Sequence, residues 1–237
     1  FEEYKFDIAI NLIALTNVLE CELNRKRCYE VNFNGTKIIS NFCKKNEVYL
    51  LNISSDMLYD KEYANEKESN PKNHYSISKF KAEQCLEGLN ACSLRLAFLG
   101  KSVDKNKGFV DWLLNSINCK KEINLWDNIY STPISINHVL EVILIVIKQR
   151  VKGIYNVGSS MQFSKYQFGI QFLKQLDIKY EKINKFNYEN QKEKVYRPLK
   201  MSLDSSKFIN LTNWRQPDFS TTIEDIIIDY LNEDRNF

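Results

Sequence analysis

The sequence predicts an α/β protein, a doubly wound parallel sheet with a smaller lobe, and two observations lead there. Three apolar runs of strand length, "FDIAINLIA" (6–14), "VYLLNIS" (48–54) and "CSLRLAFL" (92–99), are separated by two stretches of helical character. Strand, helix, strand, helix, strand is the pattern of right-handed crossovers between parallel neighbours. The first two runs are apolar at successive rather than alternate positions, which marks strands buried on both faces, as in the middle of a parallel sheet. A chain of 237 residues is long enough to bury such a core.

The first run turns polar at Thr16 and Asn17, and residues 20–45 then read as helix, with Val31, Thr36, Ile38, Ile39 and Phe42 as the inner stripe and Gly35 as its weak point. After the second run comes a polar loop, "SDMLYDKEYANEKESNPKN", and a helix over about 74–89. Beyond the third run the pattern predicts helices over 109–117 and 137–148 and a short strand at "GIYNVG" (153–158). A helix over 164–176 follows, with Ser164 as its N-cap. The stretch 184–217 is polar and reads as irregular, before a closing amphipathic helix over about 221–231. The expected division is a core of residues 1–100, to which 131–158 return, and a smaller lobe of 101–130 and 159–237. That lobe is expected over the carboxyl edge of the sheet, where ligands of such sheets bind.

Composition narrows the partners. Hydrophobic residues at 43% and charged residues at 27% fit a soluble globular chain. The longest apolar run, "VLEVILIVI" (139–147), is broken by Glu141 and is too short to cross a bilayer. The opening "FEEYKFD" carries charge before any apolar run, so no signal peptide is read there and the cytoplasm is the expected compartment. A net charge of +3 from scattered lysines makes a weak case for nucleic acid. The six cysteines form no C-x-x-C pair and have only His74 and His138 to join them, so no metal is expected and the thiols read as reduced and mostly buried. Two histidines also leave a Ser-His-Asp or Cys-His apparatus poorly supplied.

A tyrosine four places before a lysine occurs four times, as Tyr63/Lys67, Tyr75/Lys79, Tyr188/Lys192 and Tyr196/Lys200. Only Tyr75/Lys79 opens an amphipathic helix lying between two buried strands, and on a helix that spacing puts both side chains on one face. The strand 48–54 runs into Ser54, Ser55 and Asp56 at its carboxyl end, the same end as the pair. A phenol with an ordinary pKa near 10 is a poor acid–base group at neutral pH, and a neighbouring ammonium brings it nearer working range. A hydroxyl such as Ser55 can donate to a carbonyl oxygen that Tyr75 protonates, which is the chemistry of carbonyl reduction. Each residue also has a plain reading: Tyr75 and Lys79 as a solvated helix start, Ser55 as a strand-end cap and Asp56 as a turn former. Asn32 alone reads as a polar helix-surface residue, Arg197 as a surface ion pair, and the three tryptophans and His138 as packing.

Taken together, "INLIALTNVLECE" (10–22), "VNFNGT" (31–36), "ISSDMLYD" (53–60), "NPKNHYSISKFKAE" (70–83), "LRLAFLG" (94–100), "GIYNVGSS" (153–160) and "YRPLKMSLDSSK" (196–207) resemble the extended short-chain dehydrogenase/reductases. Within them the chain is most similar to the dTDP-4-dehydrorhamnose reductase branch, over nearly its whole length. The resemblance implies a Rossmann-like core with a substrate-binding lobe, NADP or NAD as cofactor, and NAD(P)H-dependent reduction of a nucleotide-linked 4-keto sugar for a surface polysaccharide. It implies Tyr75 as catalytic acid, Lys79 as the residue that holds the nicotinamide ribose and lowers the tyrosine pKa, and Ser55 followed by Asp56 as the catalytic partners. It places Ala14, Leu15, Thr16, Asn32, Ser54 and Ala97 along the cofactor, and Phe98 and Arg197 on the substrate side with Ser55 and Asp56. A sugar-nucleotide epimerase or dehydratase, and a non-catalytic NAD(P)-binding regulatory subunit, remain alternatives within the same superfamily, and a homodimer is left open.

Two departures stand out. Ser76 replaces the glycine often found after the tyrosine, and "DNIYSTPIS" (127–135) follows the branch loosely, which bears on the sugar rather than the fold. The seven glycines form no G-x-x-G-x-x-G turn of the kind that holds a pyrophosphate at a helix N-terminus. The expectation is that roughly 50–60 upstream residues, the size of three βα units, precede this sequence.

Overall fold

The computed structural model describes residues 5–102, 108–190 and 195–233. Packing divides the chain into two units, one of Phe1–Leu96, Val142–Val157 and Lys194–Trp214, the other of Ala97–Glu141, Gly158–Glu193 and Arg215–Phe237.

The first unit is built on a parallel sheet of four strands in the order Ile8–Asn11, Tyr49–Ile53, Ala91–Arg95, Gly153–Asn156. Leu51 lies opposite both Ile10 and Cys92, and Leu94 opposite both Ile53 and Tyr155. Tyr49, Leu50, Leu51, Cys92 and Leu94 have no exposed surface, as two-sided burial predicts for central strands. Among the described residues the first strand pairs with Tyr49–Ile53, and Ile10, Leu12 and Ile13 are 44%, 66% and 57% exposed.

The first crossover is a broken helix: Val18–Leu23, Arg25–Tyr29, a π-turn at Glu30–Asn34, then Gly35–Lys45. Its buried face is Cys28, Asn32, Thr36, Ser40 and Cys43, whereas Ile38 of the expected stripe is 68% exposed. The reason is what that face meets. Asn11, buried in the first strand, donates to Thr36 Oγ1 at 3.0 Å and to Asn52 Oδ1 at 2.9 Å, and Asn52 donates to Ser93 Oγ at 3.1 Å. A hydrogen-bonded polar row therefore crosses three strands and selects a small polar helix face, because buried amides left unpaired are expensive.

The second crossover contains the helix His74–Gln84. The expected polar loop before it holds a strand, Lys61–Ala64, which pairs in parallel with Lys200–Leu203, and it buries Leu58 and Tyr59 completely. Three of that strand's four residues are exposed, so its sequence carries no apolar signal. The same pairing brings the segment 194–214, expected as irregular and in the smaller lobe, into the first unit as a strand followed by the helix Ser206–Thr212. Residues 97–100 and 131–141, expected in the core, group with the second unit instead.

The second unit packs the helices Phe109–Asn118, Lys165–Gln175 and Phe219–Glu233 around Val110, Leu113, Phe168, Phe172, Ile223 and Ile226. Ser164 caps the middle helix reciprocally with Gln167, as its position in the sequence predicts. Against this core lie two strands, Ile123–Trp126 and Ile183–Phe186, paired in parallel. A further parallel pair joins Phe98–Leu99 to Ile134–Ser135. Among the described residues no helix is long and apolar enough to cross a membrane.

One buried ion pair locks the first unit. Arg95, at the end of the third strand, donates to both carboxylate oxygens of Glu83 on the helix, at 2.6 to 3.2 Å, to Tyr59 Oη at 2.5 Å and to the Glu66 carbonyl at 2.9 Å. Both side chains are at most 2% exposed. Removing one member leaves the other charged and buried, so Glu83→Ala is expected to lower the unfolding free energy by about 3–5 kcal/mol. Urea unfolding measures this, and a loss under about 1 kcal/mol would count against the lock.

Candidate active site

Ser54, Ser55, Asp56, Tyr75 and Lys79 come to one end of the strand Tyr49–Ile53, each for a local reason. The strand Tyr49–Ile53 ends, its last neighbour Ser54 bonds through its amide to the Leu94 carbonyl at 2.7 Å, and the chain tightens into a turn of 3₁₀ helix over Asp56–Leu58. Ser55 caps that turn, its Oγ accepting from the Met57 amide at 3.1 Å and donating to Asp56 Oδ1 at 3.3 Å. The plain reading of Ser55 as a cap is thus true of its structure, and it leaves the chemical reading intact. On the other side, Asn73 caps the helix His74–Gln84 reciprocally with Ser76, while Glu22 Oε1 accepts from the His74 amide at 2.7 Å. Ser76, which departs from the family's glycine, is therefore used as the second half of a capping box.

This places the Tyr75 hydroxyl beside the strand end. Tyr75 is 8% exposed, Ser55 5% and Asp56 7%. Burial pushes the Tyr75 phenol up to about 12, the Ser55 side chain draws it down, and the nearby Asp56 adds to the rise. Lys79 Nζ donates to the Ile53 carbonyl at 2.6 Å, and burial lowers its own pKa to about 8. The net shift of Tyr75 is upward, against the expected lowering, because desolvation dominates. Tyr75 is protonated at neutral pH, the form a general acid needs. Asp56 is pushed up to about 7 by burial, against bonds from Ser55 and the turn backbone, so it exchanges a proton near neutrality beside Tyr75.

Asn32, expected along the cofactor, is bonded to the protein itself on every side. It has no exposed surface; its Oδ1 accepts from the Leu15 amide at 2.7 Å, and its Nδ2 donates to the Leu15 carbonyl at 3.2 Å and to Ser78 Oγ at 2.9 Å. Ser78 lies between Tyr75 and Lys79 on the helix, so one amide ties the stretch Ala14–Leu15–Thr16 to the helix that carries the pair. Ala14 and Leu15 are half-buried and Thr16 exposed. The sequence offers no signal for Ser78 or Cys28, whose thiol packs in the same layer within reach of Ser78 Oγ at 3.4 Å. Arg197 is half-buried in the first unit, and Ala97 and Phe98 fall in the second, where Phe98 is 53% exposed.

The residues present fit the ribose side of a nicotinamide cofactor. Ser54 Oγ is a buried hydroxyl with no hydrogen-bond partner, at the end of the strand that also anchors Lys79. An unmet buried hydroxyl beside a half-spent ammonium and a neutral phenol is a set of donors arranged for a polar ligand. Two cavities of about 400 and 440 Å³ lie at the opposite, amino-terminal end of the sheet, around Gly88, Leu89 and Ala91, and include none of these residues.

A family model described as the RmlD substrate binding domain matches residues 1–232. The chain belongs to that family. Among curated proteins it is similar to the probable low-salt glycan biosynthesis reductase Agl14 of Haloferax volcanii, 27% identical over 177 residues, which cover 71% of this chain. The match spans 59% of that relative's length. Among solved structures, the RmlD-family chain superposes on a dTDP-4-dehydrorhamnose reductase from Clostridium acetobutylicum with a TM-score of 0.88, 24% identity, and coverage of 98% of this chain and 83% of the other. A dTDP-4-dehydrorhamnose reductase from Bacillus anthracis in complex with NADP gives 0.88 at 21% identity, covering 96% and 82%. These likenesses establish the Rossmann-like α/β fold that the sequence predicts.

Asp56 also sets a pH dependence. Its folded pKa of about 7 exceeds the unfolded value near 3.8, so the native state holds the extra proton between those limits and stability falls as pH rises through that window. Asp56→Asn is expected to remove this slope. The stability difference between variant and parent should grow by a few kcal/mol from about pH 4 to 7 and stay level above. Urea titrations across this range test it, and parallel profiles for the two proteins would contradict it.

Proposed function

We propose that the protein is an NAD(P)H-dependent reductase of a nucleotide-linked 4-keto sugar, serving the synthesis of a surface polysaccharide. The observation that carries the reading is the buried, protonated Tyr75 facing Ser55 at the carboxyl end of a parallel strand, with Lys79 anchored on the same strand one turn further along the helix. The family and the activities of its relatives support it: a probable glycan biosynthesis reductase and two dTDP-4-dehydrorhamnose reductases.

In this reading Lys79, the Ala14–Thr16 stretch and Ser54 would hold the ribose of NADP or NAD, and Asn32 fixes that stretch through its bonds to Leu15. The bound nicotinamide supplies hydride. Ser55 donates to the sugar's carbonyl oxygen and Tyr75 gives that oxygen its proton, so the developing alkoxide is stabilised as it forms. Asp56, close to neutral pKa, is the group from which the buried Tyr75–Ser55 pair regains a proton. Phe98 and Arg197 are assigned to the sugar nucleotide, Arg197 to its charged diphosphate, for which a guanidinium fork is suited.

The test is NAD(P)H oxidation by the full native polypeptide with a panel of nucleotide-linked 4-keto sugars. Stoichiometric oxidation is expected, falling at least about 100-fold in Tyr75→Phe with cofactor affinity retained. Conversion of a sugar nucleotide without net oxidation would move the assignment to an epimerase or dehydratase, and tight cofactor binding with no conversion to a non-catalytic subunit.

A further inference from the structure

We propose that Asp60 is a positioning residue for sugar-nucleotide binding: it fixes the turn Tyr196–Leu199 and thereby presents Arg197 to the diphosphate, an inference that rests on the reductase reading above. Asp60 takes no part in the chemistry described so far, yet it holds both flanks of the Arg197–Pro198 dipeptide. The Tyr196 hydroxyl donates to Asp60 Oδ2 at 2.5 Å, and the Leu199 amide donates to Asp60 Oδ1 at 3.1 Å. Lys72 Nζ donates to the same Oδ2 at 3.3 Å and lies 5.2 Å from the centre of the Tyr196 ring. Burial acts to raise the Asp60 pKa, but the bonds from Tyr196, Lys72 and Leu199 outweigh it and hold the carboxyl below its ordinary value, so it is ionised at neutral pH.

A second contact connects this turn to the catalytic helix. Asn73 uses its Oδ1 to cap that helix and its Nδ2 to donate to the Tyr196 carbonyl at 3.1 Å. The backbone immediately before Arg197 is thus referenced to the residue two places before Tyr75. Pro198, buried, removes a backbone rotation on the other side of the arginine. With one carboxylate gripping residues 196 and 199, and the helix cap gripping 196, the backbone of Arg197 has little freedom left. A guanidinium so presented binds without first losing that freedom, which is where pre-organisation gains affinity.

The carboxylate itself repels a diphosphate, so its value to binding must lie in what it holds. That separates this role from direct contact. Calorimetric binding of dTDP to the full native polypeptide tests it through a double-mutant cycle of Asp60→Asn and Arg197→Ala. Asp60→Asn alone is expected to raise Kd about tenfold, Arg197→Ala at least as much, and the double variant no further than Arg197→Ala alone. In turnover the Asp60→Asn loss is expected in KM for the sugar nucleotide rather than in kcat. Tyr196→Phe, which removes one bond of the clamp and leaves a surface ring in place, should move Kd in the same direction by a smaller factor and serves if Asp60→Asn does not fold. Equal losses from Asp60→Asn with and without Arg197 would overturn the proposal, as would unchanged binding in both clamp variants while Arg197→Ala weakens it. If Arg197→Ala binds dTDP as the parent does, the assignment of Arg197 to the diphosphate falls, and the positioning role falls with it.

Discussion

The side-chain amide of Asn32 is the contact on which the rest of the site depends. It lies where no water reaches and must satisfy a donor and an acceptor, and it finds both on the backbone of Leu15 with a donor left for Ser78. A buried amide left half-paired costs about 1–3 kcal/mol, so the stretch after the first strand and the helix bearing Tyr75 and Lys79 are held at a fixed separation. The π-turn at Glu30–Asn34 has a meaning in this light. It interrupts the helix at the one residue whose side chain must reach inward to two other segments.

The same economy of buried polar groups continues outward. Asn11, Thr36, Asn52 and Ser93 pair across three strands. Arg95 and Glu83 close the far side of the helix His74–Gln84. The helix between these two networks is short of apolar residues on its inner face; Ser76, Ser78, Lys79 and Glu83 are all buried. It is placed by hydrogen bonds, with directional tolerances of tenths of an ångström, rather than by oily packing that would accept a slide or a rotation.

Electrostatics at the strand end follow from burial more than from pairing. Tyr75 and Asp56 are both pushed toward their protonated forms and Lys79 toward its neutral one, each chiefly by loss of water. With Asp56 near 7 and Lys79 near 8, the cluster gains and loses protons close to neutral pH while Tyr75 stays protonated. That behaviour comes from burial, which the spacing of two side chains on a helix does not reveal.

The sequence by itself determined the parallel α/β core, the helix under Tyr75 and Lys79, and the arrival of Ser54, Ser55 and Asp56 at the strand's carboxyl end. Those features rest on local signals: continuous apolar runs for central strands, a four-residue spacing for one helix face, and Asn or Ser where a helix begins. The tertiary structure alone decided the rest. The strand Lys61–Ala64 is mostly exposed and gains its conformation by pairing with Lys200–Leu203, so nothing local announces either member. Asn32 reads as a surface residue and Asp60 carries no local signal, since the partners that define them, Leu15 and Ser78 for one and Tyr196 and Leu199 for the other, lie up to 139 positions away in the chain and meet only when it folds.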